Sequence, residues 1–328
     1  MNVFLQMKFV NKKIRTMEEE TVYINVLTDF GFKRVFGNKE DKEVLTAFLN
    51  ACLADFTGPI TELTFMPTEQ LGIRQSEKRV VFDLYCKSQS GEHFIIELQR
   101  TSQHFYADRS ISYLSRVVSQ ELRRGDRQYR IPKVYSINIL DFEADEFKGR
   151  SGYFWPVQLK DSENKIFSEK FTLIYIELNK FAARNKMPEF SDELQKWLYV
   201  MKNVSNMGEP EVSLQEGVFR KFFESCKYSK LDVMEKEDYR KSVLDYEDVQ
   251  DAVSYAQERG MAEGVELGRM EGLREGRQEG IREGRQEGLR EGKQEERMEI
   301  ARTMLDCKFD ISTIAKLTGL SEEEILAL

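Results

Sequence analysis

The sequence predicts an α/β domain with a mixed sheet, followed by a C-terminal helical region and a glycine-repeat helix. Three observations carry that expectation. Two amphipathic helical segments precede short, bulky, β-branched or aromatic runs between residues 62 and 99. A further helix and the apolar run VYSINILD then complete an α, β, β, β, α, β order. From residue 263 onward glycine recurs every fourth position, a pattern no globular core produces.

Thr28 to Gly37 opens with Asp29 as a plausible N-cap and ends at a glycine, and Asn38 opens a second helix through Ala54. Val44, Leu45, Phe48, Leu49, Cys52 and Leu53 give that second helix one apolar face. After Pro59 the period shortens: Glu62 to Glu69, Arg79 to Cys86 and His93 to Gln99 read as an antiparallel meander, the last two joined by the turn-like Lys87 to Gly91. Ser102 to Arg124 returns to helix with Phe105, Leu114, Val117, Val118 and Leu122 inward, and Gly125-Asp126 stops it. Val134 to Asp141 reads as a buried strand. Strand-like pieces follow between Tyr153 and Leu178, then a helix from Ser191 to Val204 that Asp192 or Ser191 can cap. Residues 207–260 look like a charged, exterior helical layer.

In the repeat, EGLREGRQ, EGIREGRQ and EGLREGKQ, with looser copies before them, place eight of the twenty glycines at every fourth position from 264 to 292. Four residues advance an α-helix by ~400°, so the glycine stripe drifts ~40° per repeat. Each helical glycine costs about 1 kcal/mol against alanine, more than an i, i+3 ion pair returns. The segment is therefore expected to be a marginal helix stabilised by a partner chain, or a low-complexity tether. The last residues suggest short helices at Ile300–Leu305, Ile311–Leu317 and Ser321–Leu328, with Ser321 and Glu324 as a capping box. The layout mimics a helix-turn-helix, but Glu322, Glu323 and Glu324 would face phosphates, which favours a protein-binding or capping element. The expected organisation is an N-terminal arm (1–26), a main domain with extension (27–206), a helical region (207–260), the repeat helix or tether (261–295) and a helical tail (296–328).

Charge and composition narrow the function classes. The net charge of −8 excludes a generic nucleic-acid coat, yet residues 72–133 hold twelve Lys or Arg against seven Asp or Glu, a local +5 in a chain whose remainder carries −13. Four cysteines without C-x-x-C spacing and two histidines exclude a zinc finger and fit reduced thiols. No apolar run approaches the ~18 residues of a membrane helix, and Gln6 and Lys8 break the opening apolar stretch, so a cytoplasmic protein without membrane contact is expected.

Chemistry gathers at one hairpin. Asp83 lies in VVFDLYC, Glu97 and Gln99 in FIIELQR; a turn around Ser88 to Gly91 makes opposed positions sum to 179 or 180, which puts Asp83 across from Ile96 or Glu97. Directly opposed Cβ atoms are ~5 Å apart, close enough for two carboxylates to share a cation. Oxygen ligands without His or Cys favour Mg²⁺ or Mn²⁺, and the matching reaction is attack of water on a phosphodiester. Arg109, Tyr113 and Arg116 follow at i, i+4 and i+7 on one helical stripe suited to a phosphate backbone. Acids on adjacent strands are commonly solvated edge residues; the apolar flanks and the basic surroundings argue against that here.

Asp83, then Glu97-Leu98-Gln99, then Arg109-x-x-x-Tyr113 inside an αβββαβ order resembles the PD-(D/E)XK nuclease superfamily. LTDFGFKRVFG, KVYSINILDF and the EGxxEG tail ending in IAKLTGLSEEEILAL narrow the resemblance to the recombination-promoting nuclease and transposase family. The resemblance implies a restriction-endonuclease-like core over 27–206 and a Mg²⁺- or Mn²⁺-dependent DNA endonuclease linked to recombination or mobile elements. It makes Asp83 and Glu97 metal ligands, with the Leu98 backbone carbonyl as a third and Glu43 as a helix-one acid. Gln99 stands where the motif has a catalytic lysine; glutamine is usual in this branch, and Arg79, Arg100 or Arg109 would supply the missing positive charge on the substrate side. Tyr113 and Arg116 join them as substrate-binding residues.

Other signals carry less. Asp29-Phe30-Gly31 spells the kinase DFG triplet without a glycine-rich loop or H-R-D before it, and Cys86 beside the acids has no paired histidine. A rival to the nuclease is a nonenzymatic scaffold that binds DNA or protein and assembles through the repeat; a third reading has the tail restrain the nuclease. A homo-oligomer, taken as a dimer, follows from the repeat and from the need to cut two strands.

Overall fold

Strands β1 (Leu63–Phe65), β4 (Leu84–Ser88), β5 (His93–Gln99), β6 (Val134–Leu140), β7 (Phe154–Lys160) and β8 (Ile166–Glu177) form one sheet in the order β1-β4-β5-β6-β8-β7. A computed structural model describes residues 22–70, 80–102, 105–122, 130–184 and 192–328. The expected arm up to residue 21, Arg79 and the cations Arg123, Arg124 and Arg127 lie outside the described residues. β1, β4 and β5 are the expected antiparallel meander, β6 and β8 run parallel to β5, and β7 closes the far edge antiparallel. The sheet is thus mixed, as an α/β restriction-endonuclease-like core requires. β6 is buried along its whole length, the signature of a strand covered on both faces.

The first helices are α1 (Asp29–Phe36) and α2 (Glu43–Leu53). Thr28, not Asp29, caps α1: its hydroxyl accepts from Gly31 N at 3.0 Å. Gly31 cannot be replaced without strain, because a Cβ there would sit 2.1 Å from the Asn25 carbonyl oxygen. Asn38 opens a turn instead of a helix, its Oδ1 accepting from Glu40 N and Asp41 N, so α2 starts five residues later than its sequence suggested.

The expected strand Glu62–Glu69 splits: Leu63–Phe65 joins the main sheet, while β2 (Glu69–Gln70) pairs with β3 (Val80–Val81) as a separate ribbon. Helix α3 (Tyr106–Glu121) begins after Phe105, which takes a left-handed φ of 61° and is 78% exposed, contrary to its expected inward position.

α4 (Leu178–Arg184) follows β8, and α5 (Glu193–Asn203) is capped by Asp192, whose side chain accepts from Gln195 N at 2.8 Å. α6 (Gly217–Cys226) corrects the view of 207–260 as an exterior layer: Phe219, Phe222 and Phe223 are buried. Trp197 of α5 touches Phe48, Phe219 and Phe222 at ring separations of 5.9, 4.6 and 5.7 Å, a cluster that packs these helices on one sheet face. α3 covers the other face through Leu114 and Val117 against Phe82, Tyr85, Ile95 and Leu140.

One helix, α7 (Val233–Asp306), runs 74 residues and contains the entire repeat. A Cβ at Gly264, Gly268 or any glycine through Gly292 would meet nothing within 4 Å. The described residues through Val253 form one compact unit and Ser254–Leu328 a second. In the second, the expected helix at Ile300–Leu305 is the end of α7, followed by α8 (Ile311–Thr318) and α9 (Glu322–Leu326). Gly319 ends α8 in the left-handed conformation, and the Ser321–Glu324 capping box forms as expected. Ala301, Ile314, Leu320 and Ile325 make its small core.

Candidate active site

The β4–β5 register decides whether the two acids meet. Leu84 pairs with Ile96 and Lys87 with His93, so positions sum to 180 and Asp83 falls across from Glu97. Asp83 sits at a bend just before β4 instead of inside a continuous strand. The bend turns its carboxylate onto β5: Oδ2 accepts from Leu98 N at 2.8 Å, while Asp83 N approaches Glu97 Oε1 at 3.3 Å. Gln99, two residues on and on the same face, donates from Nε2 to Glu97 Oε2 at 3.2 Å.

Glu97 is 3% exposed and Asp83 is half-buried. Burial first and the neighbouring Asp83 charge second push the Glu97 carboxyl up to about 8, against weaker lowering by Asp83 N, Arg109 and Gln99. Asp83 is also raised, by burial first, with the Leu98 N–H bond working in the opposite direction. Among the described residues neither carboxylate makes an ion pair. Two adjoining acids without a countercation hold a proton between them at neutral pH or bind a cation.

A cavity of about 310 Å³ opens beside them, lined by Asp29, Asp83, Gln99 and Arg100 among others. Asp29 lines this cavity, its i+4 partner Lys33 lies 2.8 Å from it, and the two act on the Asp83 charge in opposite senses. Two larger clefts, of about 770 and 690 Å³, lie against α2 and exclude the acid pair; chemistry, not volume, selects the smaller one. No third His, Cys, Asp or Glu among the described residues gathers with the pair as a ligand. A hard divalent cation fits the two carboxylates, its other positions falling to backbone, water or substrate oxygen.

The other expected residues divide. Arg109 lies near enough to lower Glu97, and its guanidinium stands 5.1 Å from the Tyr106 ring and 5.7 Å from the Tyr113 ring. Tyr113 feels the Glu97 charge, which together with burial raises its pKa. Arg100 acts on Asp83 from the cavity, and its Nη1 is buried without a hydrogen-bond partner. Arg116 is half-buried on α3. Leu98 contributes its N–H to Asp83 and lines the cavity. Glu43 does not join them: it is largely exposed, pairs with Lys221 at 2.7 Å and lines a different cleft. The helix-one acid at the cavity is Asp29, the first residue of the DFG triplet, whose place directly after the capping Thr28 was the overlooked signal.

Residues 26–256 match the family model described as PD-(D/E)XK nuclease family transposase. Residues 294–328 match that of the Rpn/YhgA-like nuclease family, C-terminal HTH domain. The second match agrees with the helix-turn-helix layout of the tail, in which Glu322, Glu323 and Glu324 occupy the first turn of α9. No curated protein and no solved structure matches the chain at significant similarity. No described helix is long and apolar enough to cross a membrane. With its acid pair on the predicted hairpin and most of its length matched, the chain belongs to the PD-(D/E)XK nuclease family transposases.

Proposed function

We propose that this chain is a Mg²⁺- or Mn²⁺-dependent endonuclease that hydrolyses phosphodiester bonds in DNA in recombination or mobile-element reactions. The single observation that carries the reading is the adjoining pair of Glu97, buried, and Asp83, half-buried, with no ion-pair partner among the described residues, Asp83 lining a cavity that also presents Arg100. Asp83 and Glu97 would hold the cation, with the Leu98 carbonyl as a further donor. When bound, such a cation supplies Lewis-acid chemistry, activating water and offsetting charge that develops on the phosphate.

The chain's own residues do the rest. Glu97 would hold the cation as a carboxylate, and Gln99 donates to Glu97 Oε2 and orients that carboxylate beside Asp83. Gln99 carries no charge; Arg100, with one guanidinium nitrogen unpartnered, brings the positive charge to the substrate phosphate. Arg109 and Tyr113, stacked on α3, line the approach on the Glu97 side. The test is plasmid nicking with Mg²⁺ or Mn²⁺ by wild type and Asp83→Ala. Nicking that disappears in the variant supports the reading; no nicking of plasmid, linear, branched or single-stranded DNA by folded wild type overturns it. The scaffold reading draws on the helix-turn-helix tail, and metal-independent DNA binding that Asp83→Ala leaves unchanged would favour it.

A further inference from the structure

The first turns of α7 lie against the proposed site. Tyr239, Ser242, Tyr246 and Val249 recur at helical spacing on one face of that helix. The Tyr239 hydroxyl accepts from Asn25 N at 2.8 Å, and Ser242 Oγ accepts from Phe30 N at 3.0 Å, which pins the helix to the start of α1. Val249 lines the cavity that contains Asp29, Asp83 and Arg100.

Tyr246 stands between these contacts and makes two of its own. Its hydroxyl donates to Asp141 Oδ2 at 2.8 Å, and its ring faces the Arg100 guanidinium, whose carbon lies 6.0 Å from the ring centroid. Asp141 is 6% exposed, and its charge is also met by Lys202. Lys202 in turn donates to Asn179 Oδ1 at 2.9 Å, and Asn179 Nδ2 donates to the Asp141 carbonyl at 2.7 Å. The Asp141 N–H closes the circuit by donating to the Gln99 carbonyl at 2.8 Å, immediately before Arg100. Four residues therefore form a ring: Gln99 is bonded to Arg100, Arg100 packs on Tyr246, Tyr246 bonds Asp141, and Asp141 bonds Gln99.

We propose that Tyr246, on the helix that carries the glycine repeat, is a positioning residue: it holds Arg100 at the cavity beside Asp83 so that the guanidinium is presented to a substrate phosphate. This rests on the nuclease reading and deepens it, because it places the residue that stands in for the missing lysine under control of an element more than 140 residues away in sequence. The aromatic face supplies the guanidinium with a partner that does not compete for its N–H donors. The Asp141 bond fixes the ring, and the Lys202 and Asn179 contacts fix Asp141.

The test is a double-mutant cycle on the full chain, read in plasmid nicking and, without metal, in the Kd for a short DNA duplex. Arg100→Gln is expected to lower nicking on the order of 100-fold, as loss of a donor to a developing charge does. Tyr246→Leu should lower it about tenfold, and Tyr246→Phe, which keeps the ring, should recover most of that loss. In the Arg100→Gln background Tyr246→Leu should cost less than about twofold, because its effect acts through Arg100. Multiplying losses, or a Tyr246→Phe variant as impaired as Tyr246→Leu, would overturn the proposal. If wild type binds duplex but does not nick, the nuclease reading fails while the same cycle in Kd still decides the coupling. A chain that neither nicks nor binds overturns both.

Discussion

Replacing Glu97 with glutamine should stabilise the metal-free protein at alkaline pH. The Glu97 carboxyl rises from an ordinary 4.5 to about 8, through burial first and the Asp83 charge second. Between those values the native state holds a proton that the unfolded state has lost, so stability falls as pH rises through the window. Each pKa unit is worth about 1.4 kcal/mol, and the loss by pH 8 is on the order of 4 kcal/mol. The introduced glutamine cannot ionise and retains a neutral partner for Asp83 N and Gln99, so the variant escapes the loss. Urea unfolding in chelator, followed by fluorescence of Trp155 and Trp197, measures it. The expected result is a variant more stable than wild type by roughly 4 kcal/mol at pH 8 and by less than about 1 kcal/mol at pH 5. A gap that does not change with pH, or a variant less stable at pH 8, would refute the claim that Glu97 is held there at an energetic cost.

Other consequences follow from the same contacts. Because a cation and a proton compete for the pair, Mn²⁺ should raise the wild-type unfolding midpoint more at pH 8 than at pH 6 and leave Glu97→Gln nearly unmoved; equal shifts in both proteins would count against it. Gly31→Ala drives a methyl group into the Asn25 carbonyl, 2.1 Å from the ideal Cβ position, and should cost several kcal/mol by displacing α1 and with it Asp29; chemical denaturation of the variant measures the loss. Replacing Gly272, Gly276 and Gly280 with alanine meets no atoms within 4 Å, so each should add about 1 kcal/mol of helix stability, seen as a higher circular-dichroism melting temperature. A drop there would indicate that the glycines serve close contact with another chain.

Local patterns made the hairpin readable: the turn at Ser88 to Gly91 set the sum of paired positions, and the sum brought Asp83 to Glu97. The capping box at Ser321 and the cap at Asp192 were readable for the same reason, since each depends on residues three apart. Long-range packing was not. Glu43 lost its expected place because Lys221, far along the chain, draws it to another cleft. The charged stretch after residue 207 hid Phe219 and Phe222, which pack on Trp197, and Phe223, which packs on Tyr23 and Phe222. Asp29 was assigned to a helix cap, and Thr28 took that task, which leaves Asp29 at the cavity. Nothing local to Tyr246 announces a link to Arg100; only the fold brings the head of α7 to the end of β5.

The central claim is that Asp83 and Glu97 together hold the cation that makes this protein a nuclease. Calorimetric titration of Mn²⁺ into wild type and Asp83→Ala, with a DNA duplex present, tests it most directly. The structure predicts saturable binding in wild type that is lost in the variant while the fold persists. Equal binding in both proteins, or none in either, would contradict it.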